Sequence, residues 1–172
     1  IGRIYPILYL NIRIARERKE CGKTVYEQLW ENDEPENTLV LSAPGTGKTT
    51  LLRDLIRLFS NGNEVHSGKR IGLVDERSEI AGCLHGIPQN DVGIRTDVLD
   101  GCPKVEGMML LVRSMAPEIL AVDEIGGVED FSAMQYALRC GCCLLATVHA
   151  GSLEELFQKP GWDKCGDEQM FG

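Results

Sequence analysis

Apolar residues occur along this chain in two rhythms. Near the start, Leu8, Leu10, Ile12 and Ile14 alternate with Tyr9, Asn11 and Arg13, a period of two that predicts a short strand. Residues 26–30 then read as the end of a helix, and Glu31, Asp33, Glu34, Pro35 and Glu36 form an acidic, proline-interrupted stretch without periodicity, which predicts a loop. From Thr38 onward the rhythm changes. An apolar run at 39–41 precedes a helix whose Leu51, Leu52, Leu55, Ile56 and Phe59 recur at spacings of three and four. Further strands are predicted at 70–75, 118–123 and 142–148, with helices at 106–115 and at 129–139, the latter through Phe131, Met134 and Leu138. Residues 153–157 begin another helix. Short continuous apolar runs, unlike alternating ones, belong to strands covered on both faces. The expected fold is therefore α/β, a mostly parallel sheet with helices on both faces over residues 38–172, preceded by an arm or linker over 1–37.

Composition agrees with a folded chain: of 172 residues, 43 % are hydrophobic and 26 % charged, far from the signature of disorder. A net charge of -8 counts against a protein that coats nucleic acid. The charge is uneven, because Arg3, Arg13, Arg16, Arg18, Lys19 and Lys23 outnumber Glu17, Glu20 and Glu27 in the first thirty residues. Seven cysteines, an odd number, read as reduced thiols, and the chain opens on no secretion leader. The expected location is cytoplasmic. The ends, which lack an initiating methionine and a closing element, are read as those of a piece of a longer protein.

The chemistry concentrates at the ends of the predicted strands. Ser42-Ala43-Pro44-Gly45-Thr46-Gly47-Lys48-Thr49-Thr50 joins a strand to a helix. A polyphosphate requires backbone N–H groups wrapped around it, glycines that accept positive φ, and a helix N-terminus. Pro44, Gly45, Thr46, Gly47, Lys48, Thr49 and Thr50 are the candidate nucleotide-binding residues, with Lys48 on the β and γ phosphates and the Thr49 hydroxyl on Mg²⁺. The pattern G-x-x-x-x-G-K-[ST] is met except that Ser42 replaces its first glycine, which predicts a slightly altered loop.

A second apolar strand ends in Asp123 and Glu124, two acids at the edge where α/β sheets bind ligands. Asp123 is placed to join Thr49 at the metal, and Glu124 to activate a water. Asp75, Glu76, Arg77 and Glu79 end another strand. There Glu76 or Glu79 is a candidate for polarising water or reaching the metal and Arg77 for touching phosphate or pairing with an acid, the plain alternative being a solvated turn whose charges satisfy one another. His149 ends the fourth strand, as a phosphate-sensing group or as a structural histidine. The polar segment 89–97 reads as a functional loop, with Arg95, Arg77, Arg13 and Arg16 as alternatives for an arginine reaching a neighbouring subunit's nucleotide. Cys140, Cys142 and Cys143 read as structural thiols, and His66 and His85 as ordinary loop residues.

In this order the phosphate loop, the 75–79 cluster, Asp123-Glu124 and His149 resemble a RecA-type P-loop ATPase. Residues 11–15, 48–54, 74–82 and 86–101 resemble the stage III sporulation protein AA family, related to the secretion and pilus ATPases. That resemblance implies an ATPase using ATP and Mg²⁺, a hexameric ring on the mother-cell side, and membrane channel proteins of the sporulation apparatus as partners, without stable nucleic acid. It also aligns 75–79 with the acidic box of the secretion ATPases and 147–150 with their histidine box. Where those relatives place glycine before the catalytic glutamate, Asp123 stands here, and Gly126-Gly127 follow. Two other readings stay open: a nucleotide-dependent scaffold with negligible turnover, and an ATPase stimulated by nucleic acid through Arg13, Arg16 and Arg18.

Overall fold

The computed structural model describes residues 8–9 and 18–162. Most of the alternating segment at 8–14, Arg13, Arg16 and Cys165 lie outside the described residues. A short helix α1 (Lys23–Tyr26) leads to a two-stranded hairpin of β1 (Trp30–Glu31) and β2 (Glu34–Pro35). Thus Trp30 does not close a helix, and the acidic stretch is not a plain loop. Asn32 and Asp33 both take positive φ, the geometry of the tight turn that joins two antiparallel strands.

The remaining elements alternate: β3 (Thr38–Ser42), α2 (Lys48–Asn61), β4 (Ile71–Asp75), β5 (Thr96–Asp100), α3 (Lys104–Ser114), β6 (Ile119–Ile125), α4 (Val128–Arg139), β7 (Cys143–His149) and α5 (Leu153–Phe157). The five long strands form one parallel sheet in the order β3-β7-β6-β4-β5. Of these five, the strand the sequence hid is β5, at one edge of the sheet. It carries a single apolar residue for each face, Val98 toward α2 and Leu99 toward α3, so no apolar run announces it.

Strand parity sorts the core into two layers. Ile71, Leu73, Ile119, Ala121 and Leu145 face α2, where they meet Leu52, Leu55, Ile56 and Phe59. Val74, Leu120, Val122, Leu144, Ala146 and Val148 face α3 and α4. Each layer holds one of the two tryptophans. Trp30 packs with Tyr26 and Phe59 on the α2 side, and Trp162, fully buried, packs beside Phe131 on the other. Here His66, expected to be an ordinary loop residue, stacks on Trp30 with ring centroids 4.0 Å apart. On the far layer α3 lies so close to β4 that a Cβ on Gly107 would stand 2.6 Å from Val74 Cγ1.

Because all five strands are parallel, their C-terminal ends open on one edge. That edge carries the phosphate loop after Ser42, the acids after Val74, Asp123-Glu124 and His149.

Candidate functional site

The loop between β3 and α2 turns on two glycines, Gly45 (φ 77°) and Gly47 (φ 101°). Neither has an atom within 4 Å of where a Cβ would sit, so the space beside both is open. Leu51 N–H makes the first helical bond, to the Gly47 carbonyl at 2.9 Å. The amides of Lys48, Thr49 and Thr50 therefore have no acceptor within the helix and present its positive end. Ser42 keeps an ordinary strand backbone, so glycine is not needed there. Its hydroxyl meets the Thr46 hydroxyl at 2.5 Å and closes the loop. Lys48 is buried, and its ammonium donates to the Ser42 and Ala43 carbonyls, both at 2.8 Å. Open space, free amides and a lysine at one helix N-terminus are a donor set that fits a triphosphate.

Thr49 lies one residue into α2 and its hydroxyl donates to Asp123 Oδ2 at 2.9 Å. Strand parity explains the meeting, since Asp123 continues the α2-facing series of Ile119 and Ala121. Thr147, fully buried on the neighbouring strand, donates its hydroxyl to Asp123 Oδ1. A hydroxyl and a carboxylate so paired suit Mg²⁺, which keeps most of its water and takes few protein oxygens.

After Asp123 the β6–β7 pairing slips. Glu124 takes φ 53°, a left-handed conformation that costs a non-glycine residue about 1–3 kcal/mol. Ile125, which by strict alternation would face α2, turns instead into the opposite core. The irregularity thus places two acids where a regular strand offers one. The Glu124 N–H donates to Asp123 Oδ1 at 3.0 Å and to Thr147 Oγ1 at 2.9 Å. Its carboxylate meets His149 Nε2 at 2.8 Å through Oε1 and Arg77 at 2.7 Å through Oε2. The His149 hydrogen bond, helped by the Arg77 and Lys104 charges against the effect of burial, holds the Glu124 carboxyl below the usual carboxylate range. Glu124 is ionised at neutral pH, as a proton acceptor must be.

The 75–79 cluster divides by role. Asp75, 2 % exposed, accepts the amides of Glu79, Ile80 and Ala81 at 2.8–3.1 Å, so it shapes the turn. Glu76, Arg77 and Glu79 border a small, partly open cleft whose other side is Asp123, Glu124 and Lys104. Buried Arg53 of α2 ties this turn to the phosphate loop's helix through the Glu79 and Ile80 carbonyls, at 2.5 and 2.6 Å. Arg53 and Lys104 escaped the sequence reading. Arg53 hid among the polar positions of a helix, and Lys104 carried no motif at all.

Not every candidate reaches this edge. Arg95 precedes β5 at the opposite end of the sheet and is bound there to the Ser60 carbonyl at 3.1 Å, away from the phosphate loop and the paired acids. Cys142 and Cys143 likewise lie at the start of β7, with burial pushing the Cys143 thiol up to about 12. The segment 89–97 is less of a loop than its polarity suggests, since Val92 is buried and β5 begins at Thr96.

The family model described as sporulation stage III, protein AA, matches residues 1–172. The chain is 47 % identical over 165 residues to the stage III sporulation protein AA of Bacillus subtilis (strain 168), covering 96 % of this chain and 53 % of that protein. It therefore spans about half the length of that curated relative. Among solved structures it is similar to the Legionella pneumophila ATPase DotB (TM-score 0.60, 19 % identity, 86 % of this chain and 40 % of that one). It is also similar to the VirB11 ATPase of the Brucella suis type IV secretion system in complex with sulphate (TM-score 0.50, 22 % identity, 70 % and 33 %). At these identities the likeness establishes the fold, that of the RecA-like P-loop NTPases.

Proposed function

Since the chain belongs to the sporulation stage III, protein AA family, we propose that it is the ATP-binding and ATP-hydrolysing core of a motor subunit. Its full-length form assembles as a hexameric ring on the mother-cell side and docks on membrane channel proteins of the sporulation apparatus. The observation that carries the reading is the 2.9 Å bond between Thr49 and Asp123, residues 74 apart in sequence, with Glu124 beside it.

Gly45, Thr46 and Gly47, with the free amides at the start of α2, bind and orient the phosphates, and Lys48 leaves its two carbonyls to neutralise them. Thr49 and Asp123 are the residues that would hold Mg²⁺, which would supply charge neutralisation for the phosphates. Glu124 orients a water and takes its proton, with His149 fixing one carboxylate oxygen and Arg77 the other. Glu76, at the far side of the same cleft, and His149 pass the state of the site to the 76–95 segment and to α5.

Glu124→Gln in the full-length protein should keep nucleotide binding while turnover falls by about 10² or more; unchanged turnover removes Glu124 from the mechanism. Lys48→Ala should lose nucleotide affinity, and equal affinity by calorimetry removes the phosphate-loop assignment. One observation favours the scaffold reading: both Glu124 oxygens are already engaged, by His149 and Arg77, which leaves each a single acceptor site for a water. Turnover measured with and without the channel proteins separates the two. Acceleration by the partners supports a motor whose glutamate they release, and absence of hydrolysis in both supports the scaffold.

A further inference from the structure

Building on the catalytic reading of Glu124, we propose that Lys104 is a positioning residue that holds the backbone of Glu124 in its left-handed conformation and so aims its carboxylate. Lys104 is the first residue of α3, whose N-cap, Pro103, offers no capping side chain. This is the positive end of a helix, where acids are favoured and a cation is not. Its side chain is nonetheless only 18 % exposed, although lysine rarely forgoes solvent without a partner. A residue that breaks two local preferences at once marks a functional constraint.

The constraint is visible in what its ammonium touches. It donates to the Glu124 carbonyl at 2.5 Å and lies 3.7 Å from Glu76 Oε2 and 3.9 Å from Asp130 Oδ2. One hydrogen bond to a carbonyl and two longer ion-pair contacts to carboxylates thus join the ends of β4 and β6 and the first turn of α4 at one ammonium. Asp130 in turn accepts the amides of Gly126 and Gly127 at 3.0 and 3.1 Å. The stretch 124–127 is thus gripped at a carbonyl by Lys104 and at two amides by Asp130. With the Glu124 N–H already bound to Asp123 and Thr147, both polar backbone groups of this residue are fixed. That fixes the direction in which its side chain leaves the backbone, and the carboxylate reaches His149 and Arg77. Through Glu76 the same ammonium senses the turn after β4, so movement of that turn reaches the glutamate through one lysine.

The test uses Lys104→Met and Lys104→Arg in the full-length protein. With Lys104→Met, kcat should fall about 10²-fold, the scale of an ångström-sized misplacement of a reacting group. KM and directly measured nucleotide affinity should stay unchanged, because Lys104 touches no part of the phosphate loop; Lys104→Arg, keeping donor and charge, should recover most of the loss. A second readout needs no nucleotide: amide hydrogen exchange at 124–127 should accelerate about tenfold in Lys104→Met, while 49–52 keeps its wild-type rates. Wild-type exchange at 124–127, or exchange accelerated throughout with a lowered melting temperature, overturns the proposal, as does an equal fall in kcat and affinity. If the wild-type protein hydrolyses no ATP under any condition, it is the functional reading that fails. The exchange measurement then still decides whether Lys104 holds Glu124.

Discussion

Thr147→Val isolates one hydroxyl at the centre of the site. The residue is fully buried; its hydroxyl donates to Asp123 Oδ1 and accepts the Glu124 N–H at 2.9 Å. Valine matches its shape and removes only the oxygen. A hydrogen bond to a charged partner contributes about 1.5–3 kcal/mol net, whereas the methyl that takes its place returns about 0.8 kcal/mol of burial. The Glu124 amide is not orphaned, because it keeps Asp123 Oδ1 at 3.0 Å. The net loss of stability is therefore about 1–2 kcal/mol. At a urea slope of about 1–3 kcal/mol per molar, the unfolding midpoint should move down by about 0.3–2 M. Function should suffer more, since Asp123 Oδ1 loses one of its two donors and keeps only the Glu124 amide. Removing a partner that orients a metal ligand typically costs about 10–100-fold in metal affinity. The assay is a Mg²⁺ titration of nucleotide binding, in which the half-saturating concentration should rise by that factor. Thr147→Ser, which keeps the hydroxyl, should restore it. A wild-type Mg²⁺ dependence in Thr147→Val refutes the reasoning, and equal losses in the Ser and Val variants assign the effect to packing.

Two further outcomes test the frame around the site. Gly107→Ala gains about 1 kcal/mol of helix propensity, yet its Cβ would stand 2.6 Å from Val74 Cγ1, and overpacking costs about 1–3 kcal/mol. Urea unfolding should show a net destabilisation, and a variant as stable as wild type would show that α3 slides freely on β4. The Glu118 carboxyl feels burial pushing it up, but the Arg70 amide and guanidinium and the Lys69 charge outweigh burial and hold it below its ordinary 4.5. A carboxyl lowered in the folded state stabilises above its unfolded pKa, and that contribution is lost as pH falls through the folded value. Glu118→Gln should therefore be less stable than wild type at pH 7, with the deficit closing below pH 4.5; a constant deficit across that range assigns it to shape rather than charge.

The fold was legible where residues bury on both faces. The apolar runs at 39–41, 70–75, 118–123 and 142–148 correspond to β3, β4, β6 and β7; the last three are central strands, which require such runs, and β3, at the other edge, keeps its run half-buried. β5 was not legible, since an edge strand with one apolar residue per face looks like polar loop. The hairpin at Trp30–Pro35 escaped for a related reason: strands of two residues have no period to detect. At the site, the loop ending in Lys48-Thr49 and the pair Asp123-Glu124 were readable from residue type and position. What held them in place was not. Arg53 and Lys104 act on carbonyl oxygens, and main-chain acceptors leave no mark in a sequence. The left-handed turn of Glu124 was hidden too, because nothing in Val122-Asp123-Glu124-Ile125 signals a positive φ without glycine.

The two tryptophans offer the protein a pair of built-in fluorophores, one for each side of the sheet. Trp30 is stacked against an imidazole and Trp162 is sealed beside Phe131, so their emission should differ in intensity and colour. Replacing either by phenylalanine leaves a chain whose remaining indole watches a single helical layer melt. Coincident melting of the two optical signals would reveal that the central strands bind both layers into one cooperative solid, and separated signals would reveal two.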